Sequence, residues 1–207
     1  MTGRRQRLLD TDRWRPLGVF VERWYARPLC DDDGHSPAEI EQVARQLGQR
    51  LPAALSEWFE LVGKRLRSTQ DSPRKLHELA IEDDVVPVWD ENQGVWRIEA
   101  ALDAGDDPRC EVNDASFASP AAALSQTLVG MVASDTLVGA WAGDRVGPFG
   151  ELGPAVRGGY VDDFSAEHVK RLHAAYPSLS FPRNPFFEEP CRGDGATVIR
   201  FQAEAIE

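Results

Sequence analysis

The sequence predicts an α+β domain, on three observations. Apolar residues at helical spacing dominate the first third of the chain. From Val85 to Val112, short β-favouring runs bounded by turn residues replace that spacing. The strands follow one another directly, without long helical connections. That succession predicts a central, mostly antiparallel sheet packed against N-terminal and later helices.

The first helix is expected after Asp10–Asp12, because Trp14, Leu17, Gly18, Val21, Trp24 and Tyr25 follow the i, i+3, i+4, i+7 spacing of one face. A second opens at Ser36-Pro37-Ala38-Glu39. Serine caps, proline suits the first helical position, and Glu39 completes a capping box. Ile40, Val43, Ala44 and Leu47 form its apolar stripe, and Gly48 stands where a C-terminal cap belongs. A third opens at Leu51-Pro52 and carries Leu55, Trp58, Phe59 and Val62 on its face.

After a polar connection from Arg67 to Arg74, residues Val85–Trp89 and Val95–Glu99 read as an antiparallel pair joined by a loop. Pro87 cannot donate to a ladder, so the first strand is an edge there or is bulged. A short third strand is expected at Arg109–Val112. A helix is expected from Ser119-Pro120, with Leu124, Leu128, Met131 and Val132 on one face. Gly139 to Gly159 holds seven glycines and two prolines and reads as loop, with one short strand near Ala155–Val161. A helix capped by Ser165 and a last strand at Thr197–Phe201 complete the expectation. The whole reads as one domain, residues 136–207 being its Gly/Pro-rich remainder or an extension.

Hydrophobic residues make up 42% of the 207, with six tryptophans, which suits a globular chain with a sizeable core. The net charge of −11 is unevenly placed. Residues 1–27 hold seven arginines against three acids, a balance of +4, so the remaining 180 residues carry −15. A field of that sign repels nucleic acid and raises the association rate of basic partners; it also serves plain solubility. The arginine-rich start has no apolar run behind it, and no stretch approaches the roughly 18 apolar residues that span a bilayer. The expectation is a cytoplasmic protein with no direct nucleic-acid or membrane partner.

Candidate chemistry is sparse. Cys30, Cys110 and Cys191 form no Cys-x-x-Cys pair, so no zinc site or disulfide framework is indicated. The run Asp31-Asp32-Asp33-Gly34-His35 lacks the spacing of a calcium loop, whose twelfth position here is Gln42, and reads as a solvated turn. His168 and His173 are spaced five apart and share no helix face. His35 and His77 have no evident carboxylate–histidine context. The glycine-rich Gly143–Gly153 lacks the Gly-Lys-Ser/Thr ending of a phosphate loop. No catalytic residue, cofactor or metal is therefore assigned. Acids are plentiful enough to allow a carboxylate pair, but none is singled out. A hydrolase would need such a pair, or a histidine–carboxylate couple, in a concave pocket.

The hairpin Trp89-Asp90-Glu91-Asn92-Gln93-Gly94-Val95-Trp96 admits two readings. Asn92-Gln93-Gly94 supplies turn chemistry with the tryptophans in the core, or Glu91, Asn92 and Gln93 present polar groups for a partner to read. A loop on a rigid sheet can do both.

Four elements in order resemble the SUKH superfamily, the fold of many bacterial toxin-immunity proteins and of a fungal cell-wall regulator. They are Leu47-Gly48-Gln49-Arg50-Leu51-Pro52, the helix Leu55–Val62, the Glu-Asn-Gln-Gly-Val-Trp hairpin at 91–96, and Asp106-Asp107-Pro108. The resemblance covers roughly residues 12–135. Arg109-Cys110-Glu111 departs from the proline or hydrophobic strand start that often follows Asp-Asp-Pro, and residues 139–207 match no motif of the family. The resemblance implies a non-enzymatic protein that binds and neutralises a basic toxin domain, a nuclease or deaminase. Glu91, Asn92, Gln93, Asp106 and Asp107 are the implied partner-binding candidates. A regulatory or scaffold protein of the same fold, with a housekeeping partner, is the alternative.

Overall fold

The computed structural model describes residues 3–102, 105–112 and 122–154. The expected strands at 155–161 and 197–201, the helix after Ser165, and Cys191, His168 and His173 lie outside them. The architecture is α+β. Helices α1 (Arg4–Leu9), α2 (Arg15–Trp24), α3 (Pro37–Leu47), α4 (Ala53–Val62) and α5 (Leu124–Trp141) pack with a four-stranded antiparallel sheet. Its strands are β1 (Ser72–Pro73), β2 (Val85–Asp90), β3 (Arg97–Ala101) and β4 (Cys110–Val112), in the order β1-β2-β3-β4. A two-stranded hairpin, β5 (Val146–Gly147) and β6 (Gly150–Glu151), follows α5.

Capping chemistry sets α3. Ser36 Oγ accepts from the Glu39 N–H, the Glu39 carboxylate accepts from the Ser36 N–H, and Gly48 ends the helix at φ 70°. Only Ile40 of its stripe is fully buried; Val43, Ala44 and Leu47 are partly buried against the core. α4 buries Ala54, Leu55, Trp58, Phe59, Leu61 and Val62. The aromatic centre follows from these faces. Trp14 lies 5.9 Å from Trp58, Trp58 6.1 Å from Phe149, and Phe149 5.5 Å from Tyr25, ring to ring.

The sheet buries one face. Val86 pairs with Ala100, Ala100 with Cys110, and Trp89 with Ile98, all of them buried. Val86 and Trp89 are three residues apart and would alternate faces in a regular strand. A register shift between Pro87 and Trp89 restores them to one side, so Pro87 sits at a bulge. The register places Asp90, Arg97, Glu99 and Glu111 together on the opposite face.

Four expectations need correction. The stretch Arg67–Arg74 is not all connection: Ser72 and Pro73 pair with Asp90 and Trp89 as β1. The helix expected from Ser119-Pro120 begins at Leu124, because Ala123 is extended (ψ 145°) and bridges to Arg109. That helix runs through Gly139 to Trp141 instead of ending in a loop. Gly139 is no breaker here: a Cβ on it would stand 1.9 Å from the Val146 carbonyl oxygen, so glycine lets β5 lie against α5. Finally, part of the glycine-rich segment forms the β5–β6 hairpin, which plugs Phe149 into the core.

Candidate functional site

Of the five partner-binding candidates, three lie in the β2–β3 loop and two in the β3–β4 connection. Those connections leave opposite ends of β3, separated by about 16 Å of strand at 3.3 Å per residue. The structure does not bring them together, and their local roles differ.

Glu91 is turned inward on its own loop. Its Oε2 accepts from the Gln93 N–H (2.8 Å) and the Val95 N–H (3.0 Å), while its N–H donates to the Trp96 carbonyl. Gly94 takes φ 71°, the left-handed conformation this turn requires. The tip, Asn92, Gln93 and Val95, is exposed, Val95 to 60%. Trp89 is core and Trp96 partly buried, so both readings of the hairpin apply: turn chemistry below, exposed polar groups above.

Asp106 and Asp107 join two helix starts. The Asp106 carbonyl accepts from the Ala54 N–H of α4 (2.8 Å), and the residue is exposed. Asp107 accepts from the Ser125 N–H (2.9 Å) and Ser125 Oγ (2.6 Å), capping α5, whose own N-cap residue is an alanine without a capping side chain. Arg13 Nε lies 3.4 Å from the same carboxylate. Asp107 is thus a fastener within the fold.

Several arginines of the N-terminal stretch are fasteners too, as is Arg65. Arg4 pairs with Glu60 (2.7 Å) and Arg13 with Glu57 (2.6 Å). Arg27 and Arg65 converge on Asp33, at 2.5 and 3.2 Å. Asp33 corrects the solvated-turn expectation: it is 4% exposed, while Asp31 is open to solvent. Gly34 explains the burial, since a Cβ there would meet the Glu60 carbonyl oxygen at 1.6 Å; the segment lies directly on α4. Burial alone would raise the Asp33 carboxyl. The Cys30 N–H and the guanidinium groups of Arg27 and Arg65 outweigh it and hold Asp33 below the usual range.

A second carboxylate centre went unseen in the sequence. Asp71, before β1, and Asp135, on α5, are 7% and 1% exposed. Thr69 Oγ1 donates to Asp135 Oδ2 (2.8 Å), and the Asn92 N–H of the hairpin loop donates to Asp71 Oδ1 (3.2 Å). Desolvation first, then the neighbouring Asp71 charge, pushes Asp135 up to about 7. Desolvation and Glu91 push Asp71 up to about 6. Asp135 Oδ1 is buried without a hydrogen-bond partner. Such a pair can hold and release a proton near neutrality, but at this burial it touches substrate only if the protein opens.

The histidines also need revision. His35 Nδ1 lies 3.4 Å from Glu39 Oε1, and His77 Nε2 lies 4.0 Å from Glu78. The Glu39 carboxylate also binds the Ser36 N–H, Ser36 Oγ and Lys64, which lower it to about 2 and make it a poor base. Burial pushes the Cys110 thiol up to about 12, so it stays protonated. Among the described residues no group of three or more His, Cys, Asp or Glu could hold a metal ion, and no helix is long and apolar enough to cross a membrane.

No family model, curated protein or solved structure matches the chain.

Proposed function

We propose that this chain is a non-catalytic protein-binding domain of the immunity type, which neutralises a basic toxin domain of the nuclease or deaminase class. The observation that carries the reading is the β2–β3 hairpin. Its backbone is locked from within by Glu91, and its tip leaves Asn92, Gln93 and Val95 to solvent. A loop already held in one conformation loses little entropy when a partner seats on it. One exposed valine between hydrogen-bonding side chains and a half-buried tryptophan offers both contact area and specificity.

Electrostatics supports a basic partner. Residues 28–207 carry −15, and the sheet face opposite the Val86–Ala100–Cys110 row carries Asp90, Glu99 and Glu111, of which Glu111 is exposed. Arg74 pairs with Asp90, and Arg97 with Glu82 and Glu99, so this face is braced as well as acidic. Such a surface steers a basic domain and repels the phosphate backbone it would otherwise bind. The resemblance to the SUKH superfamily supplies the toxin class. The Asp-Asp-Pro turn supports the fold, not the contact.

The test is co-expression with the product of the neighbouring open reading frame. The reading expects relief of toxicity and a co-purifying complex. Gln93→Ala with Val95→Asp should weaken that complex tenfold or more with an unchanged circular-dichroism spectrum. A harmless neighbour that forms no complex would overturn the proposal, and a stable complex with a housekeeping protein would replace it with a regulatory role.

A further inference from the structure

We propose that Asp71 and Asp135, both buried and without a basic partner among the described residues, form a pH-sensitive latch that holds the hairpin loop, through the strap 69–72, against α5. The connections form one chain. Asp135 on α5 accepts from Thr69 Oγ1; the Thr69 N–H donates to the Asp71 carbonyl (3.0 Å); the Asp71 carboxyl accepts from the Asn92 N–H at the hairpin tip. β1 continues the strap into the sheet beside Asp90, next to that loop. Moving the strap away from α5 therefore moves the anchor of Asn92.

The two carboxyl groups have no arginine or lysine within ion-pair distance among the described residues. The titratable neighbours do not help to ionise them. Glu91 faces Asp71 from the hairpin with like charge. Tyr25, at the end of α2, faces Asp135, and its hydroxyl is held by Thr136 at 2.6 Å and stays neutral. Arg65 lies over the Tyr25 ring, but its guanidinium bonds Asp33 and three carbonyl groups. Two buried carboxylates so placed cannot both ionise without water entering or the groups separating. With one proton the couple carries one charge and the strap stays closed. Removal of that proton sets two like charges in a dry place and drives the strap off α5. The raised values of both groups put this second step near neutral pH.

Amide hydrogen exchange of the intact protein tests the latch, read as protection factors for Asp71 and Asn92 between pH 6 and pH 8. In the wild type both factors should fall about tenfold or more, the change one pKa unit represents. In Asp135→Asn, whose amide oxygen still accepts from Thr69 and which cannot ionise, they should hold steady. Carbon-13 titration of the wild-type carboxyl groups gives a second readout that needs no variant. One of the pair should titrate above pH 6. Two carboxyl groups both titrating below pH 5, or protection that does not change with pH, would overturn the latch.

Discussion

Asp33 and Asp135 are the same residue type, both almost wholly buried, and they ionise in opposite directions. Asp33 meets the guanidinium groups of Arg27 and Arg65 and the Cys30 N–H. Asp135 meets a threonine hydroxyl, with the like charge of Asp71 nearby and no basic partner among the described residues. Burial disfavours charge at both, and only at Asp33 do the partners overcome it. One centre is therefore a permanent staple between the N-terminal helices and the β5–β6 hairpin. The other is a group whose charge depends on solution conditions. Depth says little about an acid's role; its partners say most.

The comparison breaks most visibly at Arg65. Its Nε donates to the Phe149 carbonyl (2.7 Å), Nη2 to the Arg27 carbonyl (2.8 Å), and Nη1 to Pro28 and Asp33. Arg65→Ala leaves Asp33 buried with reduced compensation and three carbonyls short of a donor. The expected loss is about 3–5 kcal/mol in denaturant unfolding. A loss below about 1 kcal/mol would mean that water replaces the guanidinium freely and that the staple is incidental.

The pH dependence of stability comes next, with opposite signs at the two centres. Asp33 is depressed, so its contribution is present above the unfolded carboxylate value and is lost as pH falls through the folded one. Asp135 is raised to about 7, so the native state keeps a proton that the unfolded chain releases. Its contribution is complete below the unfolded value near 4 and disappears as pH rises through about 7. Asp135→Asn should therefore be more stable than wild type at pH 8 by about 1–3 kcal/mol and little changed at pH 5. Parallel stability curves for the two proteins would refute the assignment.

Asp107 is an intermediate case: a half-buried acid whose partner is a helix start. Asp107→Ala removes the side-chain acceptor of the Ser125 N–H and of its hydroxyl, leaving the Pro108 carbonyl, which accepts from Leu124, to hold the start of α5. A loss of about 1–2 kcal/mol is expected, with Asp107→Asn milder. Asp106→Ala, whose tie to α4 is made by the backbone, should change stability by less than about 0.5 kcal/mol.

The sequence announced the features that local chemistry specifies. Ser36, Pro37, Glu39 and Gly48 bound α3 because a capping box and a left-handed terminus need those residue types. Pro87 marked an edge or a bulge because it has no N–H to donate, and the register shift shows the bulge. Features that depend on distant approach were silent. β1 is two residues long and exists through pairing with Trp89 and Asp90, so it has no period to read. Asp33 sits in a run of three acids that looks solvated, and its burial follows from Gly34 lying against α4. Asp135 stands on α5 beside buried Ser134 and Thr136, so no polar face separates it from the core. The one cue was Gly139, whose small size matters only once β5 is in place.

The smallest effects lie at the hairpin, where the contrast between tied and untied groups recurs within one loop. Glu91 accepts two amide hydrogens of the turn, whereas Gln93 contributes only its backbone to those bonds. Water can replace the carboxylate at this partly exposed position, so Glu91→Ala should cost about 0.5–1 kcal/mol. Gln93→Ala should stay within about 0.5 kcal/mol of wild type. Amide exchange at Gln93 and Val95 separates them: Glu91→Ala should lower protection at both amides, and Gln93→Ala at neither. For a partner that reads the tip, the two substitutions then act by different routes. Loss of Glu91 weakens binding because the loop must be ordered during association, and loss of Gln93 removes a contact. Stability and affinity should rank the two variants in opposite order, which would fail if the hairpin were only a turn.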